Sequence, residues 1–266
     1  MKHNRIYQDL LGYLQNLESA VVAFSGGVDS SLLVYAAHQV MADKVIAVTV
    51  RTPYIPEWEI EEAMSFVKKY SISHVILDLS TPDDILHNPP DRCYLCKKNL
   101  FAAVREEAGK HGIKTIIEGS NKDDLKDYRP GLRALEELQI ISPFLENDIT
   151  KKQIRELSRN LGLAVWNKPS NACLLSRLPY DTEITDFELD RIARADQVLR
   201  EMHLFGSRVR SHGDIARVEI AVEQFADVIA TDMRTRLVEK LKSCGYLYVA
   251  LDLEGYKTGS MNKNIA

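Results

Sequence analysis

The sequence predicts an α/β protein, a doubly wound parallel sheet followed by a second, smaller α+β domain. Three observations carry that reading. Short β-prone apolar runs alternate with helical patterns as far as Gly162, the signature of βαβ units. A serine–glycine loop joins the first of those runs directly to an apolar helix. Beyond the polar stretch Trp166-Asn167-Lys168-Pro169-Ser170-Asn171 the pattern changes to a helix, a hairpin, another helix and closing strands.

The elements follow in order. Residues 5–17 place Ile6, Leu10, Leu14 and Leu17 along one helical face. Ala20–Phe24 reads as a strand buried on both faces. Ser25-Gly26-Gly27-Val28-Asp29-Ser30-Ser31 then leads into the helical run Leu32–Ala37. Lys44–Val50 is a second strand, and Pro56 opens a helix carrying Ala63, Phe66, Val67 and Tyr70. His74–Leu79 and Lys114–Gly119 are a third and a fourth strand. Ligands of such sheets collect outside the strand carboxyl ends, which puts Thr49 and Gly119 near a bound molecule. Thr150 and Gln153 form a capping box for a helix that Gly162 closes. The domain boundary is expected at 168/169, giving domains 1–168 and 169–266. Thr185 and Glu188 form a second capping box, for a helix with Leu189, Ile192, Leu199 and Met202 inward and Arg191, Arg194 and Arg200 outward. A helix over roughly 223–243 and a strand pair around 246–253 complete the chain.

Composition narrows the function classes. The 266 residues are 45% hydrophobic and carry a net charge of −4, enough apolar content for a core and too little positive charge for a large nucleic-acid footprint. No run of about 18 apolar residues occurs, so no membrane partner is expected. The start Met1-Lys2-His3-Asn4-Arg5 leads into an amphipathic helix and not a signal peptide, so the expected location is cytoplasmic. In that setting the four cysteines, Cys93, Cys96, Cys173 and Cys244, point to metal or catalytic roles in preference to disulfides.

A strand, a glycine–hydroxyl loop and a helix together grip phosphate, because free backbone N–H groups and the positive helix end face the anion. Gly26 and Gly27 admit the ligand closely, and Ser25, Ser30 and Ser31 add hydroxyls. A Walker loop would end in Gly-Lys-Ser/Thr, and no lysine stands here. The pattern SGGxDS instead resembles the PP-loop of the ATP pyrophosphatase superfamily, which implies cleavage between the α and β phosphates with AMP passing onto a substrate. Pyrophosphate would then be held by Ser25, Gly26, Gly27, Ser30 and Mg²⁺. Asp29 and Asp123 are candidate metal or nucleotide contacts, Thr49 and Gly119 line the nucleotide site, and Arg133 is the candidate for neutralising the α-phosphate.

Cys93 and Cys96 stand as C-Y-L-C at the start of a helical pattern, where thiols lose their protons readily. With Cys173 they make three thiolates, a set that suits a 4Fe-4S cluster with one iron lacking a protein ligand. Zinc with a fourth ligand such as His87 is the competing reading. Cys244, inside an amphipathic pattern, reads as packing.

Together these motifs look like the LarE family, the pyridinium-3,5-bisthiocarboxylic acid mononucleotide synthases, which make the organic part of the nickel-pincer cofactor of lactate racemase. The matching stretches are the PP-loop, Asn88-Pro89-Pro90-Asp91-Arg92-Cys93, Gly119-Ser120-Asn121-Lys122-Asp123-Asp124, Asp127-Tyr128-Arg129-Pro130-Gly131 and Pro169-Ser170-Asn171-Ala172-Cys173. They continue through Ser176-Arg177-Leu178-Pro179-Tyr180, Arg208-Val209-Arg210 and Asp214-Ile215-Ala216-Arg217. The resemblance implies two steps: a substrate carboxylate attacks the α-phosphorus of ATP, then a sulfur nucleophile displaces AMP and leaves a thiocarboxylate. In the single-cysteine branch the residue matching Cys173 surrenders its sulfur. The additional Cys93 and Cys96 are similar to the three-cysteine branch, in which a 4Fe-4S cluster delivers sulfide. The resemblance also implies a homo-oligomer, trimer or hexamer. Two other readings stay open: a PP-loop tRNA thiolation enzyme, and a non-catalytic nucleotide sensor. An amide-forming relative would need a glutaminase unit, for which residue 2 would be a cysteine and not Lys.

The hairpin adds an independent expectation. With Gly213-Asp214 as a two-residue turn, Arg208 faces Glu219, Arg210 faces Arg217 and His212 faces Ile215, all on one side of the sheet. Facing arginines repel unless an anion lies between them, so Arg208, Arg210 and Arg217 are expected to bind the phosphate of the mononucleotide substrate.

Overall fold

The alternation of apolar runs builds the sheet that the sequence predicts. The computed structural model describes residues 2–126, 130–169 and 172–257. Asp127, Tyr128 and Arg129 of the D-Y-R-P-G stretch, with Ser170 and Asn171, lie outside the described residues. The chain divides into two compact units, Met1–Pro82 with Asp91–Ser170, and Asp83–Pro90 with Asn171–Ala266.

The first unit holds four parallel strands, β1 (Ala20–Ala23), β2 (Val45–Arg51), β3 (Ser73–Asp78) and β4 (Ile116–Ile117), in the order β3-β2-β1-β4. Alternation along β1 splits its side chains between two faces. Val22 packs with Leu10 and Leu14 of α1 (Lys2–Gln15) and with Leu32 and Leu33 of α2 (Val28–Met41). Val21 packs instead with Ile46, Phe101 and Val104, the last two from α4 (Arg92–Lys110), which follows α3 (Glu57–Lys69) in the chain. Helices therefore cover both faces, and central β1 is apolar throughout because neither of its faces meets water, while edge strand β3 carries Ser73, His74 and Asp78. The unit closes with α5 (Gly131–Glu137), α6 (Pro143–Glu146) and α7 (Lys151–Asn160). Thr150 and Gln153 form the complete capping box of α7, and Gly162 ends the turn behind it at φ 70°.

The second unit carries β5 (Arg208–His212), β6 (Ile215–Glu219) and β7 (Tyr248–Leu251), with β5 and β6 antiparallel and β7 parallel to β6. Its helices are α8 (Asp186–Glu201), α9 (Phe225–Ile229) and α10 (Thr231–Ser243), and Leu199, Val209, Val218, Leu237, Leu241 and Tyr246 pack at its centre. The hairpin register matches the sequence expectation pair by pair, with Gly213 leading the turn at φ 60°.

Four expectations here need correcting. The helix expected over 223–243 breaks at Ala230, whose ψ of 142° is extended, leaving α9 and α10. The expected closing strand pair is one strand, β7, because two helices return the chain parallel to β6. Arg191 points inward, 3% exposed, with its guanidinium 4.4 Å over the Tyr246 ring and bonded to Glu188 Oε1 (2.5 Å) and Gly213 O (2.8 Å). That pairing makes the buried charge tolerable. It also draws Glu188 away from its expected capping role: Thr185 accepts the Glu188 N–H (3.2 Å), while the carboxylate serves Arg191 and Ser211.

Candidate active site

The loop between β1 and α2 turns on Gly26, at φ 69°. A Cβ there would stand 3.0 Å from the Cβ of Ala63 on α3, so glycine is required for backbone and for space. Ser25 and Ser30 face each other with Oγ atoms 3.1 Å apart, and Ser30 Oγ donates to Gly27 O at 3.3 Å. The two hydroxyls hold the loop open at the start of α2, where backbone N–H groups and the helix end favour an anion. Ser31, counted among the phosphate hydroxyls from sequence, is instead fully buried on the core side of α2, and its Oγ has no hydrogen-bond partner among the described residues.

Gly119 lies against this loop. A Cβ on it would meet Ser30 N at 3.1 Å and the Asp29 carbonyl carbon at 3.2 Å, so the end of β4 and the start of α2 are in backbone contact. The following turn is tied together by Asn121, which donates its N–H to Asp124 Oδ2 (3.0 Å) and its side-chain amide to Asp29 Oδ1 (3.3 Å). Asp29 Oδ2 pairs with Lys151, the first residue of α7. Asp123 accepts from Lys126 Nζ (2.9 Å) and the Lys151 N–H (3.0 Å), and these two bonds hold its carboxyl below the usual range. Lys168 Nζ donates to Gly26 O at 3.0 Å and pairs with Glu62 at 2.6 Å. A loop with no lysine of its own thus has two from elsewhere in the chain, and sequence reasoning missed both. The capping box at Thr150 fixes where α7 begins and so pointed to Lys151; nothing in the composition around Lys168 did.

Thr49 is buried, and its hydroxyl is taken up inside the unit: it donates to Phe24 O (2.8 Å) and faces His74 Nε2 (2.8 Å). Burial pushes the His74 pKa down. Beside Thr49 and Ser25 a cavity of about 160 Å³ opens at the carboxyl ends of β1 and β2, walled by Val50, Ile55, Ile60 and Phe101, with Glu59 as its charged residue. Arg133 is anchored on α4. It is exposed, 3.8 Å over the Tyr94 ring and 3.6 Å from Glu137, so it joins the first turn of α4. That turn bears Cys93, which is exposed, and Cys96, whose Sγ is 3.3 Å from the hydroxyl of buried Tyr54.

In the second unit Cys173 caps a 3-10 turn, Leu174–Arg177, and its carbonyl accepts from Ser176 N (3.1 Å) and Ser176 Oγ (2.8 Å). Arg210 reaches the same turn, donating from Nη1 to Ser176 O at 2.9 Å. The facing arginines of the hairpin meet carboxylates of their own unit: Arg210 binds fully buried Glu219 (2.7 Å), and Arg217 lies between Glu219 (3.3 Å) and Asp252 (2.5 Å). Arg208 is buried, over the Tyr256 ring at 5.3 Å, and burial together with the charge of Arg177 pushes its pKa down. Arg177 pairs with Asp196 at 2.8 Å. Among the described residues, Arg177, Arg208, Arg210 and Arg217 therefore share a neighbourhood with Asp196, Glu219 and Asp252. None of the four cysteines is joined in a disulfide; Cys244 is buried, and burial pushes its pKa up. Within neither unit, among the described residues, do three His, Cys, Asp or Glu side chains form a metal-holding group. No helix among them is long and apolar enough to cross a membrane.

A parallel sheet whose first strand runs through SGGxDS into a helix defines a PP-loop, nucleotide-using enzyme, and the NAD synthase family model matches residues 4–113. The chain is 37% identical over 259 residues to an uncharacterized protein of Synechocystis sp., covering 96% of each chain. It is 34% identical to the pyridinium-3,5-bisthiocarboxylic acid mononucleotide synthase of Lactiplantibacillus plantarum, over 96% of this chain and 93% of that one. An uncharacterized protein of Methanocaldococcus jannaschii is 34% identical over 90% of each. The chain belongs to the pyridinium-3,5-bisthiocarboxylic acid mononucleotide synthase family and is an ATP-dependent sulfurtransferase.

Proposed function

We propose that the protein adenylates a carboxylate of pyridinium-3,5-biscarboxylic acid mononucleotide and converts it to a thiocarboxylate. The reading is carried by the 34% identity to the synthase of L. plantarum across nearly the whole chain, PP-loop and Cys173 segment included. In the first step the carboxylate oxygen attacks the α-phosphorus and pyrophosphate leaves. Ser25, Gly26, Gly27 and Ser30 receive the pyrophosphate with Mg²⁺, and Asp29 and Asp123 are the carboxylates offered to the metal. Lys151 and Lys168 supply positive charge that the loop itself lacks. The apolar cavity beside Ser25 and Thr49 takes the nucleoside, next to Gly119. Arg133, held at Tyr94, is assigned to the acyl-phosphate charge.

In the second step sulfur attacks the acyl carbon and AMP departs with the electron pair of the broken C–O bond. The donor set Cys93, Cys96 and Cys173, three thiols outside any disulfide and exposed or half-buried, is of the kind that would ligate a 4Fe-4S cluster, which when bound supplies a replaceable sulfide. The second outcome is loss of sulfur from Cys173 itself. The gathering of Arg208, Arg210 and Arg217 in one cluster, with Arg210 bonded to the Cys173 turn, supports their assignment to the substrate phosphate. On this reading residues 1–168 do the adenylation and contribute Cys93 and Cys96, and 169–266 contribute Cys173 and the substrate-phosphate arginines, in a homo-oligomeric, cytoplasmic enzyme.

Anaerobic purification with iron and sulfide analysis, followed by intact mass after turnover, tests the sulfur source. Roughly four irons per chain with unchanged mass supports the cluster, and a loss of about 34 Da (H₂S) supports sacrifice of Cys173. Arg210→Ala is expected to raise KM for the mononucleotide with KM for ATP unchanged. Absence of thiocarboxylate product from the loaded enzyme would overturn the whole reading.

A further inference from the structure

One motif stays unexplained by the chemistry above. Asn88, in Asn88-Pro89-Pro90-Asp91-Arg92, is fully buried and sits at a left-handed φ of 51°. Its side-chain amide reaches far along the chain, donating to Leu175 O (3.4 Å), Leu178 O (3.3 Å) and Pro179 O (2.7 Å). Its own carbonyl accepts the Asp181 N–H (3.2 Å), and two residues earlier Leu86 O accepts that of Ile184 (2.7 Å). Every one of these partners belongs to the second unit.

We propose that Asn88 is a positioning residue for sulfur transfer, clamping the turn that Cys173 begins. The chemistry of the side chain explains why this residue type is needed. Three converging carbonyl oxygens require a donor, and an amide nitrogen is the only group of that size and shape that offers donors without a charge. The left-handed backbone further restricts the position to Asn, Asp or Gly at low cost. Asp fails because its carboxylate would face three carbonyl oxygens. Gly fails because it removes the amide that draws the three carbonyls together. Asn88 Oδ1 itself has no partner among the described residues, so the amide is held by its donor side alone. Ser176 and Arg177, which stand on the clamped turn, connect it to Cys173 O, to Arg210 and to Asp196. The inference rests on the reading of Cys173 as a sulfur-bearing residue.

The test compares Asn88→Gly, which accepts the backbone and deletes the clamp, with Asn88→Asp, which keeps the shape and reverses the polarity. Hydrogen exchange is followed at the amides of Ser176 and Leu178, whose acceptors are Cys173 O and Leu175 O. Exchange there is expected to rise about tenfold in Asn88→Gly and further in Asn88→Asp, with the Leu189 amide at the start of α8 unchanged. Thiocarboxylate formed per pyrophosphate released is expected to fall by about tenfold as well. Exchange within about twofold of the parent in Asn88→Gly overturns the clamp. An equal rise across the whole second unit, or an unchanged product ratio despite local opening, overturns the positioning role. If the parent itself yields no thiocarboxylate, the functional reading has failed, and the exchange data still decide the clamp. Should Asn88→Asp not fold, Asn88→Gly decides alone.

Discussion

Glu219 sits where a single neutral substitution should be felt throughout the second unit. It is fully buried, accepts two bonds from Arg210 (Nε at 3.0 Å, Nη2 at 2.7 Å) and pairs with Arg217 at 3.3 Å. Glu219→Gln keeps the shape and removes the charge, leaving the Arg210 guanidinium, 5% exposed, beside Arg208 with its counter-charge gone. Breaking a buried ion pair by losing one partner costs about 3–5 kcal/mol. At about 2–4 °C per kcal/mol, the transition reporting on this unit should fall by roughly 6–20 °C. Removing both partners has a different cost. In Glu219→Leu/Arg210→Met the desolvation penalty of both ions goes, and Arg217 keeps Asp252 at 2.5 Å. The double variant should therefore recover to within about 2 kcal/mol of the parent. Urea unfolding of the parent, each single variant and the double variant measures the cycle. A Glu219→Gln variant within about 1 kcal/mol of the parent, or a double variant as unstable as the singles combined, would refute the argument.

Further expectations follow from the first unit. Gly119→Ala drives a Cβ to 3.1 Å from Ser30 N, a backbone atom, so α2 must shift by a few tenths of an ångström; overpacking of this kind costs about 1–3 kcal/mol. Pyrophosphate release should slow with it, and unaltered kinetics would show that the start of α2 does not contact ATP. Lys151→Met removes the cation at Asp29 and is expected to slow pyrophosphate release about 10²-fold, with Lys151→Arg restoring part of the rate. Burial holds the His74 pKa below its ordinary 6.5, so the unfolded chain takes up the proton first as pH falls. Its contribution to stability is present above pH 6.5 and is lost as pH drops below it. His74→Gln should flatten the dependence of urea midpoint on pH between 5 and 7, and an unchanged slope would assign that dependence elsewhere. His212 is shifted in the same direction, by burial and then by Arg217 and Arg210.

What could be read in the sequence was what local rules decide. The β1–α2 loop, the capping box at Thr150 and the Arg210–Arg217 register depend on residues close together in the chain, and each came out as expected. Burial decided by distant partners was not legible. Periodicity placed Arg191 outward, but Tyr246, some fifty positions on, gives it an aromatic face to lie on. The hairpin register put Arg210 opposite Arg217, but nothing near it in the chain showed that Asp252, beyond the hairpin, pairs with Arg217. Lys168 and Lys151 escaped notice because a cation's approach to the loop depends on where α7 and the segment after it are docked. Arg155 does part of that docking, donating to Trp166 O and Lys168 O at 2.8 Å.

The excursion of residues 83–90 into the second unit sets an order of events on the ribosome. Asn88 leaves the exit tunnel 87 residues ahead of Leu175, its first carbonyl partner. At about 5–20 residues per second, the segment waits roughly 4–17 s before anything exists for it to grip. During that interval the Asn88 side-chain amide lacks its three carbonyl acceptors, and Leu86 O lacks the Ile184 N–H. A fragment beginning after Pro169 would suffer the reverse deprivation, with the carbonyls of Leu175, Leu178 and Pro179 turned toward a vacant slot. The carboxyl-terminal unit is thus no detachable module: eight residues synthesised long before it must be carried along.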